Sequence, residues 1–254
     1  MMKKKIWELG MTVLLLTGVF WLARTGARLT GADAGAGNGV VLIDSGHGGS
    51  DPGKIGIHQE KEKDINLQIA KRLKKQLEKN GVKVYMTREN DVDLSEGDGG
   101  NSKVQDLKRR CEMVRKIQPD CVLSIHQNSY TDATSRGAQV FYQATSESGK
   151  QLAAKIQETL KRDVAPDNRR QIKANADYYL LKNTTSTMVI VECGFLSNLQ
   201  EAKQLQEAEY QKKVAQAIGM GVLYYLGESG ETKQRKEDSN GDENTAGQSG
   251  AVWR

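Results

Sequence analysis

The pattern of apolar and polar positions divides the chain into short apolar runs and longer amphipathic segments. Short runs typical of strands lie at 40–43, 82–86, 121–125, 138–142, 178–181 and 188–191. Apolar residues recur every three or four positions at 63–79, 107–117, 147–162 and 201–226, which predicts helices. Because strands and helices alternate, the sequence predicts an α/β fold, with a central, mostly parallel (mixed) sheet of about six strands flanked by helices.

The two ends of the chain differ in composition from the middle. Three lysines near the start precede an apolar run at 9–23, and a linker rich in Gly and Ala follows. This is the pattern of an export signal. The run of about 15 residues is short for a membrane span, so a cleaved signal peptide and an uncleaved anchor both stay open. The sequence thus predicts a signal peptide or membrane anchor plus linker at 1–37, a folded domain at 38–227 and a polar, disordered tail at 228–254.

Charge and cysteine content bear on the class of protein. The 254 residues have a net charge of +5, with 6% aromatic residues. Nucleic-acid binders group Lys and Arg with aromatics, so no nucleic-acid partner is predicted. Cys111, Cys121 and Cys193 are odd in number and include no Cys-x-x-Cys pair, which argues against a disulfide framework or a zinc ribbon. Cys121 and Cys193 lie in apolar runs and are predicted to be buried thiols.

Three candidate residues follow or end predicted strands. His47 lies in a Gly-His-Gly-Gly turn after the first strand, and His126 and Glu192 end two others. Ligands of parallel sheets gather beyond the carboxyl ends of the strands, so these side chains are expected at one edge. The plainer alternatives are a core histidine bonded to backbone and a glutamate in a salt bridge.

A third metal ligand is expected near the start of the first long helix. Glu62 opens that helix, and Glu60 and His58 are rivals for the position. Two histidines and a carboxylate form a common ligand set of catalytic zinc, and a second glutamate, Glu192, is then suited to be a general base. A glutamate in a first helical turn also stabilises the helix dipole without any further role.

Five motifs occur in order between about residues 40 and 226. They are Asp-x-Gly-His-Gly-Gly at 44–49, Glu-Lys-Asp-Ile-Asn-Leu at 62–67, Thr-Arg at 87–88, Ser-Ile-His-x-Asn at 124–128 and Val-Glu-Cys-Gly-Phe-Leu-Ser-Asn at 191–198. Together they resemble the type 3 N-acetylmuramoyl-L-alanine amidases.

This resemblance implies a role for individual residues. One Zn²⁺ ion is expected on His47, Glu62 and His126, at the carboxyl edge of a mixed sheet, with Glu192 as the catalytic glutamate. Asp44 and Asn128 are candidates to support the ligands or to contact substrate.

The resemblance also implies a function for the domain at 38–227. It is expected to cleave the amide between N-acetylmuramic acid and the L-alanine of the stem peptide in peptidoglycan. The Ser-Ile-His-Gln-Asn variant and the N-terminal segment look most like the spore-cortex branch of the family, which strips peptides on the way to muramic lactam.

Several expectations follow for location and partners. The protein is expected outside the cytoplasm, at the outer face of the cytoplasmic membrane, in the cell wall or in the intermembrane space of the forming spore. The N-terminal segment attaches the protein to the membrane if the segment is not cleaved. Peptidoglycan is the expected partner, and an additional activator or regulatory protein of unknown identity is possible. The alternative functions are a zinc peptidase that cuts within the stem peptide and a wall-binding module without catalysis.

Overall fold

The computed structural model of the 254-residue chain describes residues 39–95 and 102–246, with side chains described as far as residue 230. The strands are β1 (Val40–Ser45), β2 (Lys83–Met86), β3 (Cys121–Asn128), β4 (Gln139–Gln143), β5 (Lys173–Asn175) and β6 (Met188–Phe195). The helices are α1 (Glu62–Lys79), α2 (Ser102–Ile117), α3 (Glu147–Asp163), α4 (Tyr179–Lys182), α5 (Leu199–Gln206) and α6 (Ala208–Ala246).

The strands form one mixed sheet in the order β2-β1-β3-β6-β4-β5. Strand β1 is parallel to β2 and β3, and β3 is parallel to β6. Strand β4 is antiparallel to β6, and β5 is parallel to β4. The predicted α/β class with a mostly parallel, mixed sheet is therefore confirmed. One edge of the sheet holds the carboxyl ends of β1, β3 and β6 together with the amino ends of β4 and β5.

The two faces of the sheet bury different sets of side chains, because successive strand residues point to opposite faces. One face, with Ile43, Leu123 and Val191, packs against α1, α3 and α6. The apolar residues of these helices recur at helical spacing and are Ile65, Ile69, Leu73, Leu77, Leu152, Ile156, Leu160, Val214, Ile218 and Val222. The second face packs against α2 and α4 through a smaller cluster: Leu42, Val122, Phe141, Ile190, Cys111, Val114, Leu180 and Leu181.

The same alternation places the polar candidates on the smaller face. Asp44 lies two residues after Leu42 in β1, and Glu192 lies two residues after Ile190 in β6. His126 is the Cα partner of Glu192 in the neighbouring strand β3. Strand geometry therefore brings the polar residues together on one face, at the carboxyl edge.

The predicted strand at 178–181 is wrong, because this segment forms the short helix α4. The strand that completes the sheet is β5, just before it. The side-chain oxygen of Asn175 accepts hydrogen bonds from the backbone N–H groups of Asp177 and Tyr178, both at 2.8 Å, and turns the chain out of the sheet. A run of four apolar residues does not distinguish a strand from one buried helical turn.

Some predicted boundaries also differ from the structure. Helix α2 begins at Ser102, five residues before the predicted start, and Glu207 has an extended backbone that separates α5 from α6. Helix α6 continues beyond residue 227, so the domain boundary and the disordered tail predicted there stay predictions.

The predicted N-terminal segment at 1–37 lies outside the described residues. In the described part of the chain, no helix is both long enough and apolar enough to cross a membrane. All three cysteines are buried and unpaired, as predicted for Cys121 and Cys193.

Close packing of α6 on α3 depends on Gly221. A Cβ atom there would lie 2.7 Å from the Cα atom of Ile156, whereas one on Gly230 in the same helix would meet nothing within 4 Å. Gly221→Ala is expected to lower the free energy of unfolding by about 1–3 kcal/mol. Gly230→Ala is expected to leave it unchanged or raise it by up to about 1 kcal/mol through helix propensity. Urea denaturation of both variants checks this, and equal effects would contradict it.

Candidate metal centre and active site

Three side chains from different elements meet at the carboxyl edge of the sheet. His47 lies in the loop after β1, Glu62 opens α1, and His126 lies in β3. One nitrogen or oxygen atom from each lies within 4.8 Å of the others, and among the described residues these three form the group able to hold a metal ion. The structure therefore brings together the three predicted ligands.

The two rivals for the third ligand position lie outside this group. His58 is exposed, and its backbone N–H donates to Oε2 of Glu60 at 2.8 Å. Glu62 is 2% exposed, and Nε2 of His47 lies 3.2 Å from its Oε2 atom. Nδ1 of His126 lies 2.9 Å from Oε1 of the same carboxylate. Glu62 is thus the carboxylate that the fold places between the two histidines.

The loop that carries His47 has a backbone suited to crowded side chains. His47 has a φ of 62°, in the left-handed region that non-glycine residues rarely occupy. A Cβ atom on Gly46 would lie 2.3 Å from the His126 ring. At Gly53, where φ is +69°, a Cβ atom would lie 2.6 Å from Oε2 of Glu62. These two glycines make room for the ligand side chains.

Asp51 fixes the orientation of the His47 ring. Its Oδ2 atom lies 2.7 Å from Nδ1 of His47, which leaves Nε2 directed at Glu62. A carboxylate on one ring nitrogen selects the tautomer in which the other nitrogen can bind a metal. The sequence-based prediction missed Asp51. It could have been recognised as a carboxylate four residues after His47 in a glycine-rich turn.

Glu62 is held as an anion by the donors around it. Its Oε1 atom accepts a hydrogen bond from the backbone N–H of Gln127 at 3.1 Å, and Oε2 accepts one from the backbone N–H of Lys54 at 2.8 Å. Burial by itself favours the neutral acid. The hydrogen bonds with His126 and His47 outweigh it and hold the pKa of Glu62 far below its usual value. A buried, ionised carboxylate of this kind is ready to bind a cation.

Glu192 has the opposite electrostatic environment. It is 8% exposed, and its Oε2 atom has no hydrogen-bond partner among the described residues. Burial and the nearby carboxylate of Glu62 raise the pKa of Glu192 to about 7, although His126 acts in the other direction. An unpartnered buried oxygen is costly, so it marks a place where a water or substrate group belongs. A pKa near neutrality suits proton transfer in both directions.

Two buried arginines hold the backbone of the His47 loop. Arg110 donates from Nη1 to the carbonyl of Ser45 at 2.8 Å and from Nη2 to the carbonyl of His47 at 2.9 Å. Arg88 donates from Nε to Ser45 at 3.0 Å and from Nη2 to Gly46 at 3.1 Å. Three consecutive carbonyls therefore accept hydrogen bonds from fixed positive charges, which pins the ligand loop.

Asp44 lies behind this loop and balances the charge of Arg110. Its Oδ1 atom lies 2.5 Å from Nη1 of Arg110, and it accepts hydrogen bonds from Thr87 and Ser124. Burial raises the pKa of Asp44, but the charge of Arg110 and the hydrogen bonds from Ser124 and Arg110, with the nearby His126, together outweigh it and lower the pKa below the usual value. Of the two roles that the sequence left open for Asp44, this geometry favours support of the ligands over contact with substrate.

Asn128, the other predicted supporting residue, ends β3. Its side-chain oxygen accepts a hydrogen bond from the N–H of Ser129 at 2.8 Å, and its carbonyl accepts one from Leu196 at 2.8 Å. It ties β3 to the segment after β6, and its contact with substrate stays a prediction.

Asn66 is a further supporting residue that the sequence-based prediction missed. Its Nδ2 atom lies 3.1 Å from the carbonyl of Gly46 and 3.3 Å from Oε1 of Glu62. The signal for it was its position four residues after Glu62, on the same face of α1.

Comparison with known proteins decides the family. Residues 41–224 match the family described as N-acetylmuramoyl-L-alanine amidase. The chain belongs to this family. It is an N-acetylmuramoyl-L-alanine amidase, and its substrate class is peptidoglycan.

Two similar proteins are amidases of Bacillus subtilis and Clostridioides difficile. The germination-specific N-acetylmuramoyl-L-alanine amidase of Bacillus subtilis is 37% identical over 195 residues, which are 76% of this chain and 81% of that protein. The CwlD amidase of Clostridioides difficile, solved in complex with the GerS lipoprotein, is 39% identical with a TM-score of 0.73. That match covers 74% of this chain and 98% of the solved one. The sporulation-type branch of the family is therefore supported.

A third relative is the catalytic domain of the CwlV amidase from Bacillus (Paenibacillus) polymyxa. It is 30% identical to this chain, with a TM-score of 0.63, and the match covers 74% of this chain and 98% of that domain. The sheet and helices described above therefore match nearly the whole of that solved catalytic domain.

The residues of this amidase fit a single catalytic zinc ion. Two imidazoles and one carboxylate leave a coordination position open for water or substrate at such sites. The unpartnered oxygen of Glu192 lies on the same sheet face as His126, where it would be suited to proton transfer if a metal were held there. The group is therefore a candidate site for hydrolysis assisted by a metal.

The crowding at Gly53 yields a test of the ligand group. Gly53→Ala is expected to weaken zinc binding roughly tenfold or more, because the added Cβ displaces Glu62. Gly81→Ala is the matched control, since Gly81 also has a positive φ but open space around it. Both variants lose stability through backbone strain, and only Gly53→Ala is expected to lose affinity in a zinc competition titration. Equal zinc affinities of the two variants would refute the crowding argument.

The shifted pKa values predict how stability varies with pH in the metal-free protein. The pKa of Glu192 is raised from 4.5 to about 7 by burial. The pKa of His126 is raised from 6.5 to about 8: burial lowers it, but the hydrogen bond with Glu62 and the negative charges of Glu62, Glu192 and Asp44 together outweigh burial. In both cases the folded state binds more protons, so the free energy of unfolding is expected to fall as pH rises from 5 to 8. Urea denaturation in the presence of a chelator measures this decrease in the free energy of unfolding. Glu192→Gln is expected to remove the share of the decrease that occurs below pH 7.

Proposed function

We propose that this amidase is zinc-dependent, with His47, Glu62 and His126 as the ligands of one Zn²⁺ ion and Glu192 as the catalytic residue. The bond cleaved joins the lactyl group of N-acetylmuramic acid to the L-alanine of the stem peptide. The observation that carries this proposal is the His-Glu-His group at the sheet edge, with the unpartnered oxygen of Glu192 on the same face.

The two glutamates have different roles in the proposed reaction: Glu62 binds the metal and Glu192 transfers protons. A zinc ion held by His47, Glu62 and His126 would supply Lewis-acid chemistry, activating water near neutral pH and polarising the amide carbonyl. Glu192 accepts a proton from the attacking water and later donates it to the nitrogen of the departing L-alanine. Its pKa of about 7 suits both steps, because neither protonation state is strongly disfavoured at neutral pH. Glu62 stays ionised throughout, because its hydrogen bonds hold its pKa low.

The biological role that fits best is maturation of the spore cortex. The similarity to the germination-specific amidase of Bacillus subtilis and to the CwlD amidase of Clostridioides difficile supports this role. Removal of the stem peptide exposes the lactyl carboxyl group of muramic acid, which a later reaction can close to muramic lactam. The enzyme would therefore act before the step that forms the lactam.

Location and partner form the last part of the proposal. The lysines and apolar run of residues 1–37 support export, with the domain in the cell wall, at the outer face of the membrane or in the intermembrane space of the forming spore. The CwlD amidase was solved with the GerS lipoprotein, which supports a lipoprotein of the same cell as the partner. Fractionation of sporulating cells and co-purification of the full-length chain check both points.

Mass spectrometry of digested peptidoglycan tests the proposed function. The full-length chain with zinc is expected to release intact stem peptides that begin with a free L-alanine amine, and a chelator is expected to stop the release. Glu192→Gln should keep zinc and lose at least about 100-fold in rate, because proton transfer is lost. His47→Ala should lose the zinc itself.

Matched controls separate these effects from general damage. Glu158→Gln changes an exposed glutamate on α3, and His58→Ala changes an exposed histidine outside the ligand group, so both should behave as the wild type. Full activity in Glu192→Gln would rule out its catalytic role. Fragments cut within the stem peptide would point to a peptidase instead.

A further inference from the structure

A large cleft lies at the same sheet edge as the metal ligands. It encloses about 1000 Å³, and its lining includes Arg136, Arg169 and Arg170. Arg136 precedes β4, whereas Arg169 and Arg170 precede β5. Because the amino ends of β4 and β5 lie at the edge where β6 ends, the fold places these arginines beside the strand of Glu192.

One side chain links the arginines to the position of Glu192. Gln139 is the Cα partner of Glu192 across the antiparallel β4–β6 pair, so their side chains share a face. Nη1 of Arg170 donates to Oε1 of Gln139 at 3.2 Å. Arg170, which lines the cleft, therefore contacts the residue that pairs with Glu192 in the neighbouring strand.

Arg170 is oriented by contacts that leave part of its guanidinium available. Its Nε atom donates to the carbonyl of Arg136 at 2.7 Å, and its Cζ atom lies 4.4 Å from the centroid of the Phe195 ring. The Nη2 donors have no hydrogen-bond partner among the described residues. A guanidinium held in this way is preorganised for a carboxylate.

The charge of the cleft is positive around these residues. Arg169 is exposed, and Arg136 is exposed with Asp167 at 3.1 Å. The other carboxylate of the lining, Glu201, accepts hydrogen bonds from the backbone N–H groups of Phe195 and Gly137, both at 2.8 Å, and so shapes the wall of the cleft. Three guanidinium groups and two carboxylates leave an excess of positive charge.

The substrate has one arm whose charge matches this cleft. On one side of the scissile amide lies the glycan strand, which is uncharged, and on the other lies the stem peptide. The stem peptide bears a free carboxylate on its D-glutamate and another at its C-terminus. We propose that the cleft of Arg136, Arg169 and Arg170 binds the carboxylates of the stem peptide and thereby sets which arm of the substrate lies on the β4–β5 side. This inference rests on the proposed function for the identity of the ligand.

Equilibrium binding tests the inference independently of turnover. The probes are the tripeptide L-alanyl-γ-D-glutamyl-L-lysine and its form with D-isoglutamine, in which the glutamate carboxylate is amidated. The full-length chain is expected to bind the acid form about tenfold more tightly, because charge-assisted hydrogen bonds are lost in the amide. Arg169→Gln and Arg170→Gln should weaken binding of the acid form about tenfold and leave that of the amide form unchanged.

Control variants guard against a trivial loss of structure. Arg162→Gln removes an exposed arginine of α3 that pairs with Asp163, and it should bind both peptides as the wild type does. Arg170→Lys keeps the charge and should recover part of the affinity for the acid form. Thermal melting of each variant shows whether it is folded, and Arg169, being exposed, can be replaced with the least risk to the fold.

Turnover gives a second measurement with a distinct pattern. With a disaccharide-peptide substrate, Arg169→Gln should raise KM about tenfold and leave kcat unchanged. Equal affinity of the wild type for acid and amide peptides, or unchanged binding in the arginine variants, would overturn the inference. Absence of any peptide release by the wild type with zinc would instead refute the proposed function, while the binding measurements still decide the inference.

Discussion

The buried ion pair between Arg110 and Asp44 is the constraint on which the site depends. Arg110 is 2% exposed and spans from the carboxylate in β1 to the carbonyl of His47 in the following loop. Removing one member of a buried pair leaves an uncompensated charge, which typically costs about 3–5 kcal/mol. The pair therefore couples the position of a metal ligand to the stability of the whole sheet. It also holds a histidine in a backbone conformation that is unfavourable without such support.

The site contains two glutamates whose pKa values are shifted in opposite directions, and their environments explain the difference. Glu62 is surrounded by backbone N–H donors and imidazoles, which favour the anion. Glu192 is as deeply placed, but one of its oxygens has no partner, so burial favours the proton. Two residues of the same type can therefore differ in ionisation, because their surroundings differ. His126 and Glu192 face the same side of the sheet, because they are Cα partners in parallel strands.

The reversal of strand direction after β6 gives the site its asymmetry. Parallel strands supply His47, His126 and Glu192 from their carboxyl ends, whereas β4 and β5 bring their amino ends to the same edge. The loops before β4 and β5 carry arginines, whereas the loop after β1 carries His47, which lies near Glu62 of α1 and His126 of β3. The proposed binding of the stem peptide by these arginines would place the scissile amide between the two regions.

The sequence by itself determined the fold class, the sheet edge and the identities of His47, His126 and Glu192, because apolar runs and the residues that end them are local features. It left Glu62 open until the motifs resembled a known family. Tertiary structure decided two features that local patterns cannot express. Residues 178–181 form a helical turn, because the side chain of Asn175 ends β5 and turns the chain. Arg110 supports His47 although it lies 63 residues away in the sequence. Such contacts between distant segments depend on packing, which has no period along the chain.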